Sequence, residues 1–186
     1  MGEVEVEVVA FACRGTLIQW AEAIDAVAYE LARRHGESPL DRGAALGRRA
    51  EALGGGDLAR GLERLAEERG YLGEESGEEL LARVVASARP RPGAREAVSL
   101  AVRSGKRVVA VARSGGACAL QAFGEAFEAV VSDPRDIGAP LGAIMYVSAS
   151  EWRRVEARRR GMRVAAPEEL GSALAIPVAA TAILAV

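Results

Sequence analysis

The sequence predicts an α/β protein, a parallel sheet with helices on both faces and a small all-helical segment inserted after the first strand. Three observations carry that expectation. A β-branched run opens the chain, Val4, Val6, Val8 and Val9 leading into Ala10 and Phe11 and ending at Gly15, which reads as a buried strand and a tight turn. A long helical stretch follows immediately. After Pro90-Arg91-Pro92-Gly93, short apolar runs alternate with helical stretches, the pattern of parallel strands joined by crossover helices.

The elements follow in order. From Leu17 to His35 the residues Ile18, Ala21, Ile24, Val27, Ala28 and Leu31 recur at helical spacing, and Gly36 ends the run. Residues 39–90 continue as helical pieces broken by Gly54-Gly55-Gly56 and by Gly70 to Gly77, so three or four helices are expected. A helix from Ala94 to Arg103 precedes a turn at Ser104-Gly105 and a second strand from Arg107 to Ala112. A helix then runs from Gly116 to about Phe127, followed by apolar runs at Ala129 to Val131, Ala143 to Val147 and Met162 to Ala165. This organisation divides into a Rossmann-like core of 1–17 and 91–186 and a helical cap of 18–90. The apolar tail from Ile176 to Val186 is expected to pack as a last strand or against the sheet; left exposed, it would be a dimer or partner surface.

The chain has 186 residues, half of them hydrophobic, with a net charge of −2. That is a globular profile with no global attraction to nucleic acid or an anionic membrane. Aromatics make up 4% of residues, too few for base-stacking platforms. The start alternates acid and valine in place of a basic region and an apolar one, and the tail is shorter than the roughly 20 residues a membrane span needs. A cytoplasmic protein is expected, with Cys13 and Cys118 as buried thiols; a disulfide between them is the alternative, mainly in a hyperthermophile.

Four blocks, in order and plausibly spaced, resemble the haloacid dehalogenase-like hydrolase superfamily over nearly the whole chain. The first, Val8 to Leu17, resembles the apolar strand that ends Asp-x-Asp-Gly-Thr-Leu. Phe11 and Gly15-Thr16-Leu17 are retained, whereas Ala12 replaces the nucleophile and Arg14 the general acid/base. The second, Gly105 to Ser114, resembles the strand ending in a Ser or Thr; Ala112 takes the hydroxyl position, Arg113 the next, and Ser114 sits two residues late. The third, Val130 to Pro140, resembles the segment ending Lys-Pro, with Ala139 where the lysine belongs. The fourth, Ala143 to Ser150, resembles the strand ending Gly-Asp, with Ala149 at the aspartate and a later acidic position falling near Arg153 or Arg154. The 18–90 insertion is similar to the helical caps of haloacid dehalogenases and phosphoglycolate phosphatases.

The chemistry that this resemblance implies needs an ionised Asp as nucleophile and a second carboxylate two residues on. The phosphatases add Mg²⁺ held by acidic side chains and a backbone carbonyl. An alanine methyl is no nucleophile, and a guanidinium is always protonated and accepts no hydrogen bond. The sequence therefore predicts a catalytically inactive protein, a pseudoenzyme with no catalytic residues at these positions and no Mg²⁺ or other cofactor. It is expected to bind a small anion or a partner protein, with a homodimer among the partners and neither nucleic acid nor membrane.

A metal-free anion site would use Arg14 and Arg113 for charge, the backbone N–H groups of Gly15 and Thr16, and Ser114. The competing expectation is that the arginines fold outward or pair with Asp133, Asp136 or acids of the cap. Two further functional readings stay open, a phosphatase- or dehalogenase-type hydrolase using atypical residues such as Cys13, and a structural subunit of a larger assembly. Arg153, Arg154 and Arg158 to Arg160 are expected to give one helix a solvated basic face, with a phosphate or nucleic-acid surface as the alternative. The acids between Gly73 and Glu79 are expected to cap a helix start, and His35 to sit at a helix C-terminus.

Overall fold

A computed structural model of the chain describes residues 5–37, 43–71, 75–112 and 116–174; the apolar tail from Ile176 lies outside them. Five parallel strands form one sheet: β1 (Val8–Ala12), β2 (Arg107–Val111), β3 (Ala129–Val131), β4 (Ile144–Val147) and β5 (Arg163–Ala165), in the order β3-β2-β1-β4-β5. A parallel strand at the centre of such a sheet is covered on both faces, which is why all five β1 residues are apolar and buried. Strand order reverses at β1, so the connections leaving β1 and β4 run to opposite sides of the sheet, and a ligand crevice is expected at the carboxyl ends.

The strand period sorts side chains to two faces. Val9, Phe11, Val108, Ala110, Met145 and Val147 pack with α5 (Ala94–Arg103), α6 (Gly116–Phe123) and α8 (Leu170–Ala173). Val8, Ala10, Ala12, Val109 and Tyr146 pack on the other side with Ala157 of α7 (Glu151–Arg159) and Met162. Helices thus cover both faces. None of the described helices is long and apolar enough to cross a membrane.

Between β1 and α5 the described elements are all helical: α1 (Trp20–Arg34), α2 (Gly43–Gly54), α3 (Leu58–Arg69) and α4 (Gly77–Ser87). The chain enters and leaves this insertion through paired backbone, Gln19 N–H donating to the Arg89 carbonyl and Arg91 N–H to that of Leu17, at 2.9 and 2.8 Å. Glycine sets the spacing of the helices. A Cβ on Gly61 of α3 would land on the Ala50 carbonyl oxygen of α2, and one on Gly77 of α4 on the Ala59 carbonyl oxygen of α3. Asp57 caps α3, and Ser76 with Glu79 forms a capping box at the start of α4, where the acids of that run were expected. Arg34 and Arg83 join Glu30 and Glu75 in one ion-pair network between α1 and α4.

Where element limits differ from those the sequence pattern predicts, hydrogen bonds give the reason. The first helix starts at Trp20, not Leu17, because the N–H groups of Leu17 and Ile18 both donate to the Cys13 carbonyl and hold a tight loop. The helix after Gly116 ends at Phe123 because Gly124 turns at φ +57° into a 3₁₀ turn over Gly124–Ala126. The last strand begins at Arg163 because Met162 N–H is committed to the Ala157 carbonyl.

Gly61→Ala should cost about 2 kcal/mol, the usual scale of overpacking where backbone must move. Gly171→Ala, whose added methyl meets open space, should change stability by less than about 1 kcal/mol. Urea denaturation of the two variants checks the contrast; equal stabilities would show that helix spacing does not depend on Gly61.

Candidate functional site

The carboxyl end of β1 carries the residues on which the functional reading turns. Ala12 is wholly buried, its methyl in the apolar cluster with Val109, Tyr146 and Ala157. The main chain beyond Cys13 then curls on itself. Gly15, at φ +75°, donates its N–H to the Ile18 carbonyl at 3.0 Å, and Thr16 N–H points to that of Cys13 at 3.4 Å. Both N–H groups are therefore used within the loop, which corrects the expectation that they face an anion. The Gly15 carbonyl accepts from the Arg91 guanidinium at 2.7 Å.

Thr16 has a structural role. It is 3% exposed, and its Oγ1 accepts the Ala149 N–H at 3.0 Å while lying 3.5 Å from Ser148 Oγ. That contact ties the loop after β1 to the loop after β4. Ser148 Oγ in turn accepts the Ser150 N–H at 3.2 Å, and Ser150 caps α7.

Arg14 follows the competing expectation: its guanidinium pairs with Glu51 of α2, an acid of the cap, and lies 5.6 Å from the centre of the Trp20 ring. Burial lowers its pKa, with Arg153 beside it as a second cause. The Arg14 carbonyl accepts from the Arg153 guanidinium at 3.1 Å. Arg154 reaches back to the Ser148 carbonyl at 2.6 Å. Two of the five arginines of the expected basic face are therefore folded into the loops, leaving Arg158, Arg159 and Arg160 exposed.

Ala112 is half-buried beyond β2, and Ala139 is half-buried against the apolar cluster beneath α7. Arg113 and Ser114 lie outside the described residues. Of the described positions that sequence reasoning singled out, Arg14 and Ala112 line a cavity of about 410 Å³; Ala12, Gly15, Thr16, Ala139 and Ala149 do not. The cavity opens between the strand ends and α7, with Gly56 of the cap at its edge. Its other walls include Asp133, Tyr146, Trp152, Arg153 and Arg160. Sequence reasoning gave Arg153 and Arg160 a binding surface only as the alternative to a solvated face, and gave Asp133, Tyr146 and Trp152 no such place. The available signal was Trp152 beside Arg153 in the first turn of a helix that follows a strand end. Asp133 is held by Arg135, whose side chain and N–H press its carboxyl down to about 2, and it also pairs with Arg160 at 3.5 Å.

A Mg²⁺ ion takes hard oxygen ligands, one or two of them carboxylates. At and beyond the ends of β1 and β4 the chain offers the methyls of Ala12 and Ala149 and the guanidiniums of Arg14 and Arg153, and the Asp133 carboxylate beyond β3 is taken up by Arg135 and Arg160; this donor set does not fit the ion. Among the described residues no three His, Cys, Asp or Glu side chains converge.

Cys13 is 1% exposed, and burial together with nearby Cys118 pushes its thiol up to about 12. Burial raises the Cys118 thiol to about 11. Such groups are protonated at neutral pH and are poor nucleophiles. His35, the single histidine, stacks on Tyr71 in the cap with ring centres 4.8 Å apart.

No protein-family model matches the chain, and no curated protein does. Solved structures match well. L-2-haloacid dehalogenase from Xanthobacter autotrophicus aligns at TM-score 0.61 and 17% identity over 86% of this chain and 76% of that one. A defluorinating L-2-haloacid dehalogenase aligns at 0.63 and 16% over 86% and 80%. CbbY from Rhodobacter sphaeroides, solved in complex with phosphate, aligns at 0.57 and 18% over 87% and 85%. The chain has the fold of the haloacid dehalogenase-like hydrolases.

Proposed function

We propose that this chain is a catalytically inactive haloacid dehalogenase-like protein that binds a small anion in the crevice at its strand ends. The observation that carries the reading is the Ala12–Arg14 pair. A buried methyl and a guanidinium locked to Glu51 stand where the resemblance places the nucleophile and the general acid/base. Losing one member of such a set costs orders of magnitude in rate, and here both are replaced. The same positive charges that exclude a metal favour an anion. Two buried thiols suit a reducing compartment, so the protein is proposed to work in the cytoplasm, without Mg²⁺.

Purified protein given p-nitrophenyl phosphate or 2-chloropropionate with Mg²⁺ should show no turnover above buffer. Reproducible turnover lost in Cys13→Ala or Ser114→Ala would establish the hydrolase alternative instead. The Cys13 thiol should react with iodoacetamide in the native state far more slowly than in urea; equal rates would reopen it as a nucleophile. Restoring the carboxylates should not restore chemistry. Ala12→Asp with Arg14→Asp buries a charge in the cluster around Tyr146 and should lower stability by about 3 kcal/mol or more, without activity. A stable, Mg²⁺-dependent double variant would contradict the reading of that cluster.

A further inference from the structure

Among the described residues, the cations around the cavity can be paired off one by one until a single one is left over. Arg14 has Glu51. Arg160 has Asp133 at 3.5 Å and Glu156 at 3.2 Å. Arg153 is half-buried and has no carboxylate partner among the described residues; among these its guanidinium donates to the Arg14 carbonyl oxygen. A guanidinium carries five N–H donors, so one bond fixes its position and leaves most of them for a ligand. The described walls of the cavity thus present one uncompensated positive charge, held in place, next to two carboxylates, Asp133 and Glu156. That balance suits a ligand with one negative charge and works against a dianion, which would meet Asp133 and Glu156.

The rest of the wall selects the body of the ligand. A volume of about 410 Å³ is far beyond what a small inorganic oxyanion fills, and it lies within the range of sites for small organic molecules. Val111, Ala157 and Met162 make an apolar floor, and Tyr146 lies against it, 8% exposed. Trp152 lines the same cavity yet is 74% exposed, an indole face with most of its area in water. A flat ring laid on it would remove apolar surface from both partners.

The geometry points to an aromatic monocarboxylate as the ligand, its carboxylate on Arg153 and its ring against Trp152, bound without a metal. This rests on the non-catalytic reading above and adds to it the ligand class, the role of Arg153 inside the cavity, and Trp152, which the sequence pattern did not single out. Arg153 acts as a fixed internal cation; a carboxylate accepts two of its N–H groups side by side, the geometry that Lys cannot reproduce.

The test is calorimetric titration of the full chain with benzoate and, separately, with inorganic phosphate, each in EDTA. Benzoate should bind more tightly than phosphate. Arg153→Met should weaken benzoate at least tenfold, Arg153→Lys should recover only part of the loss, and Trp152→Ala should weaken it several-fold. Trp152 is exposed, so its replacement leaves the fold intact and keeps the test decisive should Arg153→Met unfold the loop. Three results overturn the assignment: no benzoate binding, binding indifferent to both Trp152→Ala and Arg153→Met, or phosphate bound more tightly than benzoate. Failure here leaves the inactive reading standing, whereas turnover in the hydrolase assay removes that reading and leaves any benzoate binding to be seen on its own.

Discussion

The bond from the Arg153 guanidinium to the Arg14 carbonyl oxygen fixes a positive charge at the point where the loops after β1 and β4 meet. Much of the site's character follows from it. Two guanidiniums side by side repel a divalent cation and attract an anion, and their mutual repulsion is relieved unequally, since Glu51 neutralises one and nothing among the described residues neutralises the other. A crevice that transfers charged groups with a metal needs acidic side chains that gather a cation. This one gathers its cations from the chain itself, and they cannot leave.

What survives of the family-like pattern is what the loop needs to fold. Gly15 sits at φ +75°, a conformation that side chains disfavour. Thr16 is the hydrogen-bonded tie between two strand-end loops, and Leu17 is wholly buried in the core shared with the helical insertion. Phe11 packs edge-on against Phe127, with ring centres 6.2 Å apart. The residues of the pattern that are present serve packing and turn geometry, and in the proposed reading the positions that would serve chemistry hold Ala12, Arg14, Ala112, Ala139 and Ala149. The fold and the chemistry are separable because they rest on different residues of the same few segments.

This separation also explains how much of the molecule is legible in its sequence. Strand and helix periodicity locates all five strands to within a few residues, because buried parallel strands are runs of β-branched and small apolar residues with glycine or proline at their ends. The end of the helix at Phe123 and the start of the one at Trp20 are misplaced by pattern, because they depend on single hydrogen bonds and one left-handed glycine. The strand-end alanines can be named from the resemblance of the four sequence blocks. Glu51 as the partner of Arg14 cannot, since residues 37 positions apart meet only once α2 has packed over the crevice. Trp152 and Tyr146 are invisible as a pair, because one comes from a helix and the other from the underside of a strand.

The sign of the charge at the strand-end crevice is the claim on which inactivity, metal independence and anion binding all depend. Calorimetric titration of the purified full chain with Mg²⁺ tests it most directly. No saturable binding is predicted at millimolar ion. Saturable Mg²⁺ binding that is removed by replacing a residue of the β1 or β4 loop would contradict it.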